Sequence, residues 1–286
     1  MDNWYTQAII ALILMGTQRF LYKVSAERNC NTAWTTFSFM ATVALLSSVL
    51  FFFRSEPVPN IAFTFIVGIL NSSAFLVATM THIEALKRLS SSVVYSIIRL
   101  NVVVVVLFSI FYFQDHPTFN QIAGIILAVT VILILTRQPE AEEPSAGQTK
   151  RGLILVFISL FCGSIASISS KFAAMHANPL AFMAISYLFS TLFSIGLRNK
   201  LQQEPVSSNY KEALAIGVTM GLINFAGYYT FLKALSMGPL SIVIAIISLH
   251  FVIAILLSLL IYKEKLTPSR IAGISLTILS VILLRH

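Results

Sequence analysis

The sequence predicts an all-α integral membrane protein: ten transmembrane helices arranged as two inverted five-helix repeats. Three observations predict it: apolar runs of membrane-spanning length, prolines confined to the gaps between them, and a chain that repeats itself at a shift of 149 residues. Of the 286 residues, 57% are hydrophobic and 10% charged, with a mean hydropathy of +0.86. A soluble domain carries about 25% charged residues, so lipid rather than water must solvate most of this chain.

The net charge of +8 would suit nucleic acid if the basic residues shared one water-exposed face. They stand instead singly or in pairs between apolar runs, where lysine and arginine reach lipid headgroups. Nucleic acid is therefore excluded as a partner, and the lipid bilayer is assigned as one. Cys30 and Cys162 have no CxxC or metal-ligand spacing and read as two unpaired thiols. Nothing calls for a cofactor or a metal.

The first run, 6–24, follows MDNWY, which has an acid and no lysine or arginine. That is a poor cleavable leader, so the run is expected to stay as a span. The second, 33–53, stops at Arg54 ahead of Pro57 and Pro59. The third, 61–83, ends beside His82 and Glu84, and the fourth, 91–113, contains Arg99 and Asn101. The fifth, 119–136, runs into RQPEAEEPSAGQTKRG, a solvated linker composition. The series resumes at 152–174, 179–198, 211–235, 240–262 and 268–285. The halves are thus 1–137 and 152–286, with 138–151 as a hydrophilic linker. All nine prolines fall in gaps or at the first residues of a run, where no helical hydrogen bond is lost. The runs are continuously apolar rather than alternating, which argues for helices and against barrel strands.

At a shift of 149, residues 84–137 lie on 233–286 without a gap, and seventeen of these 54 pairs are identical. Matches among Ile, Leu and Val carry little weight. Ser109/Ser258, Thr118/Thr267 and the IAGI block carry more, and Asp115 lies opposite Glu264. Earlier in each half GILN (68–71) answers GLIN (221–224), and Lys23 and Lys171 each end a first span. An odd number of spans per copy makes the second copy enter the membrane from the opposite side. The halves are then related by a pseudo-twofold axis in the membrane plane, the arrangement of alternating-access carriers with a site between the repeats.

The segments ALKRLSSS…FQDHPTFNQIAG and FLKALSMGPLS…YKEKLTPSRIAG resemble the EamA-type repeats of the drug/metabolite transporter superfamily. The second copy matches that pattern at Glu264, Lys265, Leu266, Thr267 and Gly273; the first has Asp115, His116 and Pro117 where the family usually has E, R and L. The resemblance covers nearly the whole chain and implies a 5+5 α-helical carrier of small metabolites. The mid-span proline usual in the fourth and ninth spans is missing, and Asn101 and His250 stand near its place.

Twelve lysines and arginines, from Arg28 to Arg270, lie in the odd-numbered gaps, against Arg54, Arg285 and a borderline Lys233 elsewhere. The positive-inside rule then places the odd gaps in the cytoplasm and both termini outside. The resemblance implies the reverse, termini inside, and the charge bias of this chain is given the greater weight. A prokaryotic cytoplasmic membrane is expected.

Ionisable side chains within spans are costly and should face a partner or an aqueous cavity. Arg99, with Asn101 beside it, is a candidate fixed charge for an anionic substrate group; the alternative is an arginine paired with Glu84 or a helix-end carbonyl. Arg19 is a cavity candidate, whereas Lys23 reads as reaching the headgroups. Lys171 repeats the Lys23 position and carries the same ambiguity. His250 titrates near neutrality as a type, which leaves proton coupling open beside a plain interhelical hydrogen bond. Asn71 and Asn224 occupy matching places and either join helices or line the cavity. Gly217 and Gly221 form a GxxxG, read as a close helix contact. The candidate substrate-binding or coupling set is Arg19, Asn71, Arg99, Asn101, Lys171, Asn224 and His250.

No aspartate or glutamate lies deep in a span, so buried positive charge favours an anionic or zwitterionic substrate, amino-acid- or carboxylate-like. The expected function is secondary active transport of such a metabolite, by a monomer or homodimer. A non-transporting scaffold or lipid-handling protein is the alternative. An intramembrane enzyme is disfavoured: neither HExxH nor GxSxG occurs, and the five histidines are scattered.

Overall fold

The computed structural model describes residues 3–28, 30–54, 57–86, 88–89, 91–136, 146–196, 210–263 and 267–285. Within them the chain forms α1 (Asn3–Glu27), α2 (Thr32–Arg54), α3 (Ile61–Leu86), α4 (Ser91–Arg99), α5 (Asn101–Tyr112) and α6 (Phe119–Thr136) in the first half. The second half holds α7 (Ala146–His176), α8 (Pro179–Gly196), α9 (Tyr210–Met237), α10 (Leu240–Ser248), α11 (His250–Tyr262) and α12 (Pro268–Leu283). Seven stretches among the described residues are long and apolar enough to cross a membrane, and three shorter apolar helices complete ten. Helix is what lipid demands, because no water is present to satisfy an open backbone.

α7 begins at Ala146, inside the stretch 138–151 expected as a hydrophilic linker, and its Lys150 and Arg151 are exposed. Residues 137–145 lie outside the described residues, as do Glu264, Lys265 and Leu266. The fourth and ninth spans, read as continuous, are each broken at one leucine. Leu100 (φ −66, ψ −4) separates α4 from α5, and Leu249 (φ −81, ψ 0) separates α10 from α11. Both turns tighten to three-residue hydrogen bonds: Leu100 N–H to Ile97 O and Val103 N–H to Leu100 O, then Leu249 N–H to Ile246 O and Val252 N–H to Leu249 O. The two leucines are 149 apart, so the break is part of the repeat although no proline makes it. At the ninth span a side chain assists: His250 Nδ1 lies 2.6 Å from Ile247 O, drawing a carbonyl away from the helical ladder.

The packing displays the inversion directly. A methyl group added at Gly124 in α6 would sit 2.9 Å from Leu284 Cγ, and one at Gly273 in α12 would sit 2.5 Å from Leu135 Cδ1. The start of each helix therefore meets the end of the other, and the two contacts are images of each other at the repeat shift. α1 and α9 cross likewise, Trp4 against Gly238 and Met15 against Gly227. The corresponding pair, α3 and α7, is joined by Asn71 to Ala166 and by Ser159 to Ala78. The tightest packing lies between halves, α3 on α7, α1 on α9, α2 on α9, α2 on α8 and α6 on α12. Small residues make it possible. Gly217 and Gly221 press against Ser38 and Thr42 of α2, and Gly68 against Ile185 of α8, the close approach that drives association where lipid removes the hydrophobic gain.

Candidate functional site

The two breaks sit in the middle of the bundle, each seated on a glycine of the other half. Gly16 of α1 faces the His250 carbonyl, to which an added methyl would come within 2.5 Å, and Gly163 of α7 faces Asn101, with an added methyl 3.4 Å from its Nδ2. Ser164 Oγ donates to Asn101 O at 3.5 Å. His250 is 8% exposed. Its Nδ1 faces a carbonyl, which only accepts, so Nδ1 carries the proton and Nε2 is an acceptor. Nε2 is buried with no hydrogen-bond partner among the described residues.

Two guanidinium groups stand near this point, Arg99 one residue before the first break and Arg19 one turn of α1 beyond Gly16. The Arg99 guanidinium carbon lies 5.7 Å from the Phe251 ring centre, and that of Arg19 5.7 Å from the Tyr22 ring. Arg19 stands eight residues before the end of α1 and Arg99 eight after the start of α4, so each lies about 12 Å in from the end that carries the odd-numbered gaps. Arg19 is nonetheless exposed. At Gly16, one turn before it, α1 packs on α11. Glu84 pairs with Arg88 at that end, at 2.6 Å.

Two polar nodes related by the repeat join the helices nearby. Asn71 Nδ2 donates to Ala166 O (2.7 Å), Ser169 Oγ (2.9 Å) and Ser170 Oγ (3.1 Å), and Ser170 shares a hydrogen bond with Tyr228. In the other half Tyr187 donates to Asn224 Oδ1 at 2.6 Å, and Asn224 Nδ2 to Gln18 Oε1 at 3.3 Å. Both asparagines are buried and tie helices together. The rings of Tyr187 and Tyr228, 5.9 Å apart, join the two nodes.

Of the expected residues, Arg99, Asn101 and His250 lie at the breaks and Arg19 one turn from Gly16, while Asn71 and Asn224 tie helices together. It does not bring Lys171 there. The Lys171 ammonium donates to Leu235 O (2.6 Å) and Gly238 O (2.9 Å), closing the C-terminal end of α9. Lys171 lies over Phe113 and Lys23 over Tyr262, again matched pairs. Sequence reasoning passed over Tyr22 and Tyr187 and set His82 at the very end of the third span, but α3 continues to Leu86 and carries it a turn inside. The tyrosines give no sequence signal among so many aromatic residues. Among the described residues no three His, Cys, Asp or Glu side chains are arranged to hold a metal ion.

The EamA-like transporter family matches residues 2–137 and again 150–285. The chain belongs to that family, one copy in each half, and is an integral membrane protein. Members of the family are membrane transporters of the drug/metabolite superfamily, not enzymes. Among curated proteins no sequence matches. Of solved structures 29 chains match. One crystal structure covers 98% of this chain and 95% of its own at a TM-score of 0.77 and 14% identity, which is a likeness of fold.

Proposed function

We propose that this EamA-family chain is a secondary active transporter that moves a small anionic or zwitterionic metabolite, amino-acid- or carboxylate-like, by alternating access of its two inverted halves. One observation carries the reading: the Arg99 guanidinium of the fourth span lies 5.7 Å from the ring of Phe251 at the break of the ninth. Arg19 follows one turn after Gly16, on which that break rests. Broken spans at a repeat interface are where such carriers hold charged groups. Two guanidinium groups near the breaks, with no carboxylate deep in any span, select an anionic group and repel a cation. Because members of the family are transporters rather than enzymes, the substrate is taken to cross unchanged.

His250 is the coupling candidate. A proton on Nε2 would add positive charge beside Arg19 and Arg99, and an anion seated between them would offset it. Proton and anion then favour each other's binding, the reciprocal coupling that symport requires. The Lys/Arg bias places the odd-gap end on the cytoplasmic side; a reporter fused after His286 reads outside on this assignment, and a cytoplasmic signal would reverse it.

The test is a thermal-stability screen of purified protein against matched anionic, zwitterionic and cationic metabolites, followed by flux into proteoliposomes. Anionic or zwitterionic compounds are expected to stabilise the wild type and to be carried, with both effects lost in Arg99→Ala. Stabilisation by cations alone, or full transport by folded Arg99→Ala, defeats the proposal.

A further inference from the structure

At the end of the bundle opposite the odd-numbered gaps, one turn is gripped from both sides. Met237 ends α9 and Leu240 starts α10, leaving Gly238 and Pro239 between a helix C-terminus and a helix N-terminus. Lys171 donates to the carbonyls of Leu235 and Gly238 on the first side. On the second, Asp115 Oδ2 accepts from Ser241 N–H at 3.0 Å and Ser241 Oγ at 2.7 Å. Each charge faces the helix end of opposite polarity.

The grip crosses the two halves. Asp115 and Ser109 belong to the first repeat and Ser241 to the second; Ser109 Oγ donates to Asp115 and also accepts from Ser241 N–H at 3.2 Å. Asp115 is aimed by a left-handed residue, Gln114 at φ 55, a conformation that costs a non-glycine side chain energy and persists where its surroundings impose it. The same end is packed with aromatic rings. Phe113 and Tyr112 lie 5.3 and 5.5 Å from Phe172, Trp4 covers Gly238, and Tyr5 donates to Val281 O at 2.7 Å.

From Ser241 the chain runs as one helix to the break. Every residue of α10 from Leu240 to Ser248 is buried, and Leu249 and His250 follow directly. A rigid rod about 12 Å long therefore connects the gripped turn to the site beneath Arg19 and Arg99.

We infer that Asp115, with Ser109, Ser241 and Lys171, is an inter-repeat latch that seals the even-gap end of the bundle, and that its release frees α10 to open that end. The inference rests on the alternating-access reading for its role in transport, and the latch itself is tested separately. With Cys30 and Cys162 replaced by alanine, single cysteines at Leu240 (0% exposed) and Val93 (36% exposed) are labelled with a maleimide in nanodiscs, where both faces are reachable.

In the otherwise unchanged chain Val93→Cys reacts and Leu240→Cys does not. Adding Asp115→Ala is expected to raise labelling at position 240 about tenfold or more, the population shift that losing even one of its three charge-assisted hydrogen bonds would set, and to lower labelling at 93. A rise at 240 with no change at 93 supports the latch and overturns the coupled alternation. No rise at 240 in a folded variant overturns the latch. If Asp115→Ala does not fold, Asp115→Asn and Ser241→Ala give the same readout, with a smaller rise expected and an unchanged rate decisive against the idea.

Discussion

α4 and α10 occupy equivalent places in the repeat, have nine residues each, and end at a leucine in nearly the same backbone conformation. Their surroundings differ. All of α10 is buried and joins the main core, whereas α4 exposes Val93 and joins a small separate cluster of Ala85, Leu89, Val94 and Val156. One repeat plan thus supports two environments, and on the latch reading the buried one marks the closed end. The odd-gap end is not unbridged: Arg28 pairs with Glu212, and Trp34 meets Tyr210 with ring centres 5.8 Å apart. Those contacts hold the α2–α9 flank and leave Arg19 exposed.

The contrast can be broken most sharply at the residues before the two breaks. Arg99→Ala is expected to weaken a bound anion roughly 10–100-fold, since a hydrogen bond to a charged group contributes about 1.5–3 kcal/mol. Ser248→Ala, at the matching position, should leave affinity unchanged because its hydroxyl already donates to Ala245 O at 2.7 Å. Titrating the anion against the unfolding temperature of each variant reads both, and equal losses would remove the asymmetry assigned to the site.

Next come the glycines on which the breaks rest. Gly16→Ala should destabilise by roughly 1–3 kcal/mol, because the methyl would meet backbone at 2.5 Å, while Gly163→Ala should be nearly neutral at 3.4 Å. Thermal unfolding of the purified pair decides it, and equal midpoints would mean that the ninth span is no more tightly seated than the fourth. The smallest expected effects are at the matched asparagines. Asn71→Leu and Asn224→Leu should each cost roughly 0.6–2 kcal/mol, and Asn71 the more. Its two N–H donors are shared among acceptors at 2.7, 2.9 and 3.1 Å, whereas Asn224 Nδ2 has one at 3.3 Å. The same unfolding assay would expose a larger loss at Asn224, which would shift weight from the α3–α7 seam to the α1–α9 seam.

Much of this was legible in residues alone. The ten spans, the 149-residue register and the close contact at Gly217 and Gly221 follow from apolar length, proline placement and small-residue spacing. The breaks were not legible, because no proline marks them and a leucine among valines and isoleucines carries no signal. Arg19, Arg99 and His250 could be singled out as costly in lipid, but not that they stand near the breaks. Nor could Lys171 be separated from them, since a buried ammonium serves a helix end or a ligand equally well until its acceptors are known. His82 was misjudged by one turn of helix.

The sequence by itself determined that the chain spans a membrane as two copies of one unit, because lipid leaves the backbone no choice but helix and five crossings must invert the second copy. Only the tertiary structure decided which faces turn inward, where the spans break and which end is gripped. Those choices rest on a few contacts between nearly equivalent partners: Asp115 finds Ser241, Lys171 finds Gly238, and the matching stretch near α4 stays more open. When two ends are written in almost the same residues, their sequence cannot say which is gripped; the packing does.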